Sequence, residues 1–110
     1  MTVNPGGVVQ LPECIADLMA RPKDSKVQIV WTHQNDAEPY NVYRSTTADV
    51  EISAANRIME GLVTTYATYL DLKVINRTTY YYKVTKTVGG VENCRSNEAS
   101  ATPQTRRRTR

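Results

Sequence analysis

Carboxylates and a single histidine are the side chains through which this chain could carry out acid–base chemistry. His33 is the only histidine, and no nucleophile and orienting carboxylate are spaced around it as a hydrolytic triad requires. A glycosidase needs two carboxylates that face each other across a cleft. The acidic residues are instead scattered, among them Asp36, Glu38, Asp49, Glu51, Glu60, Asp71, Glu92 and Glu98. We therefore predict no catalytic residues, and we expect solvated charges, with Asp71 capping or pairing locally.

The cysteines are the other residues with chemistry of their own. Cys14 and Cys94 are the only two in the chain. A structural zinc site needs a complete tetrahedral set of ligands, and two cysteines with one distant histidine do not supply it. The sequence thus predicts no metal site and no cofactor.

A basic tail ends the chain. It contains four arginines in the last five residues: Arg106, Arg107, Arg108 and Arg110. The formal net charge is +3, so these arginines account for the whole excess and the rest of the chain is close to neutral. Such a tail holds phosphates with salt-dependent affinity, docks on an acidic protein, or only keeps the chain in solution. We expect contact with nucleic acid only through this tail, if at all.

Length and composition indicate one ordinary globular domain. The chain has 110 residues, of which 40% are hydrophobic and 23% are charged, which is typical of soluble domains. The N-terminal residues have no basic start and no long apolar run, so we predict no signal peptide. No segment approaches the roughly 20 apolar residues that span a bilayer, and we expect no membrane contact.

Two runs alternate apolar and polar residues strictly enough to predict strands. A strand points alternate side chains to one face. In the first run the residues that share a face are Val27, Ile29 and Trp31. In the second run they stand two or four apart: Val74, Thr78, Tyr80, Tyr82 and Val84.

The second run also resembles a known family. Its spacing, Val-x-Asn-x-Thr-x-Tyr-x-Tyr-x-Val, is similar to the E–F corner and F strand of fibronectin type III domains. In that family a tyrosine at the position of Tyr80 forms the tyrosine corner, with its hydroxyl bonded to upstream backbone. Residues 40–45, Tyr-Asn-Val-Tyr-Arg-Ser, resemble strand C of the type III modules found beside bacterial carbohydrate enzymes. Residues 96–103 resemble the closing phrase of many such modules.

The resemblance covers about residues 13–103 and implies an all-β fold. It implies an immunoglobulin-like sandwich of seven strands over residues 14–103, an extended N-terminal arm over residues 1–13 and the basic tail over residues 104–110. Strand A is expected at 14–22, B at 26–33, C at 39–45, E at 66–72, F at 80–88 and G at 95–102. Residues 46–65 are expected to form a C–C′ region or a short helical turn. The implied core and corner residues are Trp31, Tyr40, Val42, Val74, Tyr80 and Tyr82.

The same resemblance suggests roles for two further pairs. In a type III sandwich the start of strand A and the F–G loop lie at one pole, so a disulfide between Cys14 and Cys94 is one expectation. The alternative is two free thiols in a reducing compartment. Tyr43 and Tyr81 would point outward on neighbouring strands. They would stack on a sugar or form an interface patch, or simply pack on each other across the strands.

Two non-enzymatic functions remain open, because one sandwich fold serves many jobs. The main hypothesis is a bacteriophage virion protein, a capsid decoration or a tail or neck accessory subunit. It would be assembled in the host cytoplasm and would bind neighbouring protein subunits through its arms. The alternative is an accessory spacer or weak carbohydrate-binding module of a secreted bacterial polysaccharide-degrading enzyme or adhesin.

Overall fold

Strands make up all the regular structure in the part of the chain that the computed structural model describes, namely residues 2–3, 9–32, 39–63 and 67–105. In chain order they are β1 (Thr2–Val3), β2 (Val9–Gln10), β3 (Glu13–Ile15), β4 (Met19–Lys23), β5 (Lys26–Val30), β6 (Tyr40–Ser45), β7 (Arg57–Leu62), β8 (Thr68–Asp71), β9 (Tyr80–Val88), β10 (Val91–Ser96) and β11 (Ala99–Ala101). The all-β prediction is confirmed.

Nine of these strands form a two-layered sandwich. The larger sheet has the order β3-β10-β9-β6-β7, with β11 also paired to β9, and the smaller sheet has the order β4-β5-β8. All their pairings are antiparallel except that of β3 with β10, which is parallel. The inward side chains of the two sheets meet in one apolar core. This core includes all six predicted core and corner residues, Trp31, Tyr40, Val42, Val74, Tyr80 and Tyr82.

The predicted count of seven strands is not met, because the first and last strands of the sandwich are each interrupted. β3 pairs in the larger sheet and β4 in the smaller one, so the chain changes sheet between them. The side chain of Asn97 stabilises this crossing. Its Oδ1 accepts a hydrogen bond from Leu18 N at 2.8 Å, and its Nδ2 donates to Leu18 O at 3.2 Å. The backbone groups of Leu18 are thus satisfied outside any strand ladder.

The predicted N-terminal arm and basic tail are not confirmed by the structure. β1 and β2 pair with each other in an antiparallel hairpin, and Leu11 is buried against the sandwich. The N-terminal residues that the structure describes are therefore not a free extended arm. At the other end, Gln104 N donates to Lys23 O at 3.2 Å. Residues 106–110, which include the four tail arginines, lie outside the described residues, as does His33.

The tyrosine corner has a defined geometry. The hydroxyl of Tyr80 accepts a hydrogen bond of 2.9 Å from Ile75 N, five residues upstream. The side chain of Asn76 ties this corner to the β4–β5 turn, since its Oδ1 accepts from Ser25 N at 2.8 Å and its Nδ2 donates to Asp24 Oδ1 at 3.0 Å. The corner and the turn consequently form one hydrogen-bonded unit at one pole of the sandwich.

Candidate binding surfaces

Glu92 lies at the centre of a polar cluster on the outer face of the larger sheet. Its Oε2 accepts hydrogen bonds from Asn41 Nδ2 at 3.1 Å, from Thr85 Oγ1 at 2.6 Å and from the hydroxyl of Tyr43. β6, β9 and β10 bring these residues together because Asn41 stands directly opposite Thr85. Burial, together with the Glu92 carboxylate, raises the pKa of Tyr43. The carboxylate is thus committed to internal hydrogen bonds.

A shallow cleft of about 450 Å³ opens beside this cluster and is lined by both Glu60 and Glu92. Glycoside hydrolysis needs two carboxylates in one cleft, and one of them must be buried enough to stay protonated. The side chain of Glu60 is 70% exposed and lies 3.9 Å from Arg57 Nε, so it does not have the surroundings of a general acid. The cleft therefore gives no support to a hydrolytic site.

Tyr43 was predicted at the surface with Tyr81, and this prediction is wrong, since Tyr43 is 1% exposed. Its ring packs with Leu11, Val50 and Ile52 in a second apolar cluster. Alternation does send Tyr43 outward, but the chain before β3 and the loop after β6 cover that part of the sheet. Tyr81 is half-buried against the same cluster. The pair does not form a sugar-stacking surface.

Aromatic rings in the described part of the chain are withdrawn from solvent. Trp31, Tyr40, Tyr43, Tyr80 and Tyr82 are buried, and Tyr69 and Tyr81 are half-buried. Stacking on a sugar or a base requires an open ring face. None of the described rings is classed as exposed, and only Tyr69 and Tyr81 are half-buried rather than buried.

The carboxylate of Asp71 was expected to cap or pair locally, and its Oδ1 does accept a hydrogen bond from Lys73 N at 3.1 Å. It also contacts residues distant in sequence, which the sequence did not predict. It is 2% exposed. Arg44 Nη1 lies 2.9 Å from its Oδ2, and the hydroxyl of Tyr82 donates to the same oxygen at 2.8 Å. Burial and the neighbouring Asp71 raise the pKa of Tyr82. The guanidinium of Arg44 also lies 5.5 Å from the ring centre of Tyr80.

A basic face lies on the outer side of the smaller sheet, and we define it by Arg21, Lys23 and Lys26. Lys23 stands directly opposite Lys26 across the β4–β5 hairpin, so the two side chains share the outer face. Arg21, two residues from Lys23, points to the same side. Among the described residues no carboxylate forms an ion pair with any of the three. An open depression of about 1100 Å³ adjoins this face, lined by Lys23, Lys26, Gln28, Thr68, Leu70 and Gln104 among others.

The two ends of the sandwich lie at opposite poles. At the N-terminal pole Cys14 and Cys94 are joined by a disulfide, with their Cα atoms 5.6 Å apart. At the C-terminal pole Gln104 is bonded to Lys23, at the far end of β4. Residues 14–23 run from one pole to the other, a path of about 30 Å at the rise of a strand. The chain thus enters at one pole and leaves at the other.

The described residues contain no group of three or more His, Cys, Asp or Glu side chains arranged to hold a metal ion. They also contain no helix of the length and apolar character that crossing a membrane requires.

Comparison with known proteins identifies an enzyme with a similar sequence and several solved structures with a similar fold. No protein-family model matches the chain. An amylopullulanase from Thermoanaerobacter thermohydrosulfuricus is 37% identical over 93 residues, which is 84% of this chain and 6% of that protein. The chain therefore corresponds to a small part of this relative.

Solved structures include several with the same architecture. A Fn3-like protein from Clostridium thermocellum has a TM-score of 0.62 and 26% identity, over 89% of this chain and 100% of its own. The pectate lyase Pel3 from Pectobacterium carotovorum has a TM-score of 0.62 and 26% identity, over 81% of this chain and 26% of its own. A titin fragment has a TM-score of 0.65 at 14% identity, over 86% of this chain and 33% of its own. The chain therefore has a fibronectin type III-like, immunoglobulin-like fold.

Proposed function

We propose that this chain is a non-catalytic accessory module of a secreted bacterial polysaccharide-degrading enzyme, in which it serves as a folded spacer. The proposal rests on the placement of the two ends of the module, which lie at opposite poles of the sandwich. A module with this arrangement holds the domains on either side of it apart along its long direction. The similarity to parts of an amylopullulanase and of a pectate lyase supports this context.

The spacer role is favoured over sugar binding through aromatic rings. Tyr43 and Tyr81 were predicted as a candidate stacking pair, but Tyr43 is buried and Tyr81 is half-buried. The disulfide between Cys14 and Cys94 also suits an oxidising compartment outside the cell.

The virion hypothesis has no support in these comparisons. The relatives reported above are enzymes, a Fn3-like protein and titin. The predicted N-terminal arm, by which such a subunit would clamp its neighbours, is partly folded into the β1–β2 hairpin.

Fractionation of the native source tests the proposal. Culture supernatant and purified particles would be separated by size, and peptides of residues 9–32 and 67–105 would be quantified by mass spectrometry in each fraction. We expect them in the supernatant, together with peptides of a polysaccharide-degrading enzyme. Recovery with large particles at a fixed copy ratio would overturn the proposal in favour of a virion subunit.

A further inference from the structure

Two irregular strands border the cleft beside the Glu92 cluster. In β7 the pairing with β6 shifts between Met59 and Leu62, so Glu60 and Gly61 form a bulge, and Gly61 has a φ of 71°. In β10 the pairing with β9 shifts directly after Glu92. A bulge re-aims the side chains beside it and is common next to functional sites. Here both bulges adjoin a carboxylate that lines the same cleft.

The side chain of Asn41 connects the two sides of the cleft. Its Oδ1 accepts a hydrogen bond from Gly61 N at 2.8 Å, and its Nδ2 donates to Glu92 Oε2 at 3.1 Å. Asn41 is itself buried, at 6% exposed. One buried amide therefore holds both the backbone of β7 and the carboxylate of β10. A ligand that binds there does not have to order these groups, which lowers the cost of binding.

Three side chains of the cleft keep hydrogen-bonding capacity for a ligand. The internal hydrogen bonds of Glu92 all end on Oε2, and its Oε1 accepts none from the described residues. The side chain of Glu60 is 70% exposed, and that of Arg57 beside it is 33% exposed. Carboxylate oxygens accept hydrogen bonds, and a guanidinium only donates them. This set matches a ligand with several hydroxyl groups, which both donate and accept.

The remaining surface of the cleft favours a neutral ligand with some apolar character. Two carboxylates against one guanidinium leave an excess of one negative charge among the lining residues, which disfavours an anion. Val91, 57% exposed, adds an apolar contact at the rim. The volume of about 450 Å³ lies within the range of roughly 300–1,000 Å³ that is usual for small-molecule sites. A sugar ring, with hydroxyls at its edge and C–H groups on its faces, has this mixed character.

We propose that this cleft binds a neutral sugar unit of a polysaccharide, with Glu60 and Glu92 accepting hydrogen bonds from its hydroxyls and Arg57 donating to one. The inference rests on the proposed function for its context, and it adds a binding site that the spacer role does not require. The site works through polar groups and needs no open aromatic ring.

The test uses the full chain with pullulan as the neutral probe and polygalacturonate as the acidic comparison. Binding would be measured by affinity gel electrophoresis and titration calorimetry, with and without EDTA. Glu60→Gln and Arg57→Gln each remove one charged group of the cleft. The matched controls are Glu51→Gln and Arg21→Gln, which make the same charge changes at exposed positions outside the cleft. Circular dichroism would establish that each variant is folded.

We expect the wild type to bind pullulan, with or without EDTA, and not to bind polygalacturonate. Glu60→Gln and Arg57→Gln should each lose about threefold to tenfold in affinity, and both controls should keep the affinity of the wild type. Absence of pullulan binding, equal affinity in the cleft variants and the controls, or tighter binding of polygalacturonate would overturn the inference. Loss of binding in EDTA would do the same, because it would assign the carboxylates to a metal ion. Fractionation of the native source decides the proposed function separately, since a spacer that binds no sugar would still be found with its enzyme.

Discussion

The carboxylate of Asp71 links the two layers of the sandwich at the scale of single residues. It belongs to β8 in the smaller sheet, whereas its partners Arg44 and Tyr82 belong to β6 and β9 in the larger sheet. A buried ion pair gains little net stability over an apolar pair, but a buried charge left alone is strongly destabilising. The three side chains therefore fix how the sheets are aligned and depend on one another.

Because the hydroxyl of Tyr82 is buried, we predict that the folded protein loses stability in alkaline solution. Its pKa in the folded protein is raised above the usual value of about 10 for tyrosine. The unfolded chain thus gives up this proton first, and the contribution of Tyr82 is complete below about pH 10 and falls as the pH rises towards the folded pKa. Tyr82→Phe should remove this contribution.

The measurement is urea unfolding of the wild type and Tyr82→Phe between pH 8 and pH 11.5, followed by the fluorescence of Trp31. The difference in free energy of unfolding between the two should be constant up to about pH 10. Above it, the wild type should lose about 1.4 kcal/mol more per pH unit than the variant. Parallel curves over the whole range would show that the Tyr82 hydroxyl is not held in its protonated form by folding.

At the scale of elements, the segment between β8 and β9 carries the tyrosine corner and one strained residue. Arg77 has a φ of 76°, a left-handed conformation that disfavours residues with a Cβ atom. It is retained because Arg77 N donates a hydrogen bond of 2.7 Å to Pro103 O, which ties the corner to the end of the chain. The tertiary hydrogen bond of Arg77 N thus offsets the strain of its positive φ.

Arg77→Gly is accordingly expected to be more stable than Arg77→Ala by about 1 kcal/mol, because glycine adopts a positive φ without a Cβ clash. Thermal unfolding of the two variants would measure the difference. Lys73 lies in the same segment, is also exposed and does not have a positive φ. At that control position the order should reverse, with glycine less stable than alanine. The same order at both positions would contradict the assignment of strain to Arg77.

At the scale of the whole molecule, the disulfide governs both stability and extension. Cys14 and Cys94 are 80 residues apart in sequence. Tension applied at the two ends would pass from Cys14 directly to Cys94 and bypass residues 15–93. Only the residues outside this loop, those before Cys14 and those after Cys94, would then lengthen, so the disulfide limits the extension of the module, as the proposed spacer role requires.

Loss of the disulfide should cost about 4 kcal/mol of unfolding free energy, because a loop of this length is then free in the unfolded chain. Urea unfolding of the oxidised wild type and of Cys14→Ser/Cys94→Ser would measure the loss. Reductant should lower the stability of the wild type to that of the double variant and should leave the double variant unchanged. Insensitivity of the wild type to reductant would mean that the bond does not form or does not stabilise the fold.

The sequence by itself determined the fold class, because the alternation of Val27, Ile29 and Trp31, and of Tyr80, Tyr82 and Val84, reports which side of a strand faces the core. The corner pattern around Tyr80 then narrowed the class to a type III-like sandwich. These signals are local, since each depends only on neighbours a few residues away. They explain why these side chains were expected in the core, where the structure places them.

Only the tertiary structure decided what covers the outer faces and which charges meet. Alternation sends Tyr43 outward, but Leu11, Val50 and Ile52 arrive from other parts of the chain and bury it. Asp71 looked like a scattered surface charge until the second sheet placed Arg44 and Tyr82 against it. Contacts between residues far apart in sequence leave no periodic trace, and for this reason the buried carboxylate and the basic face were both missed.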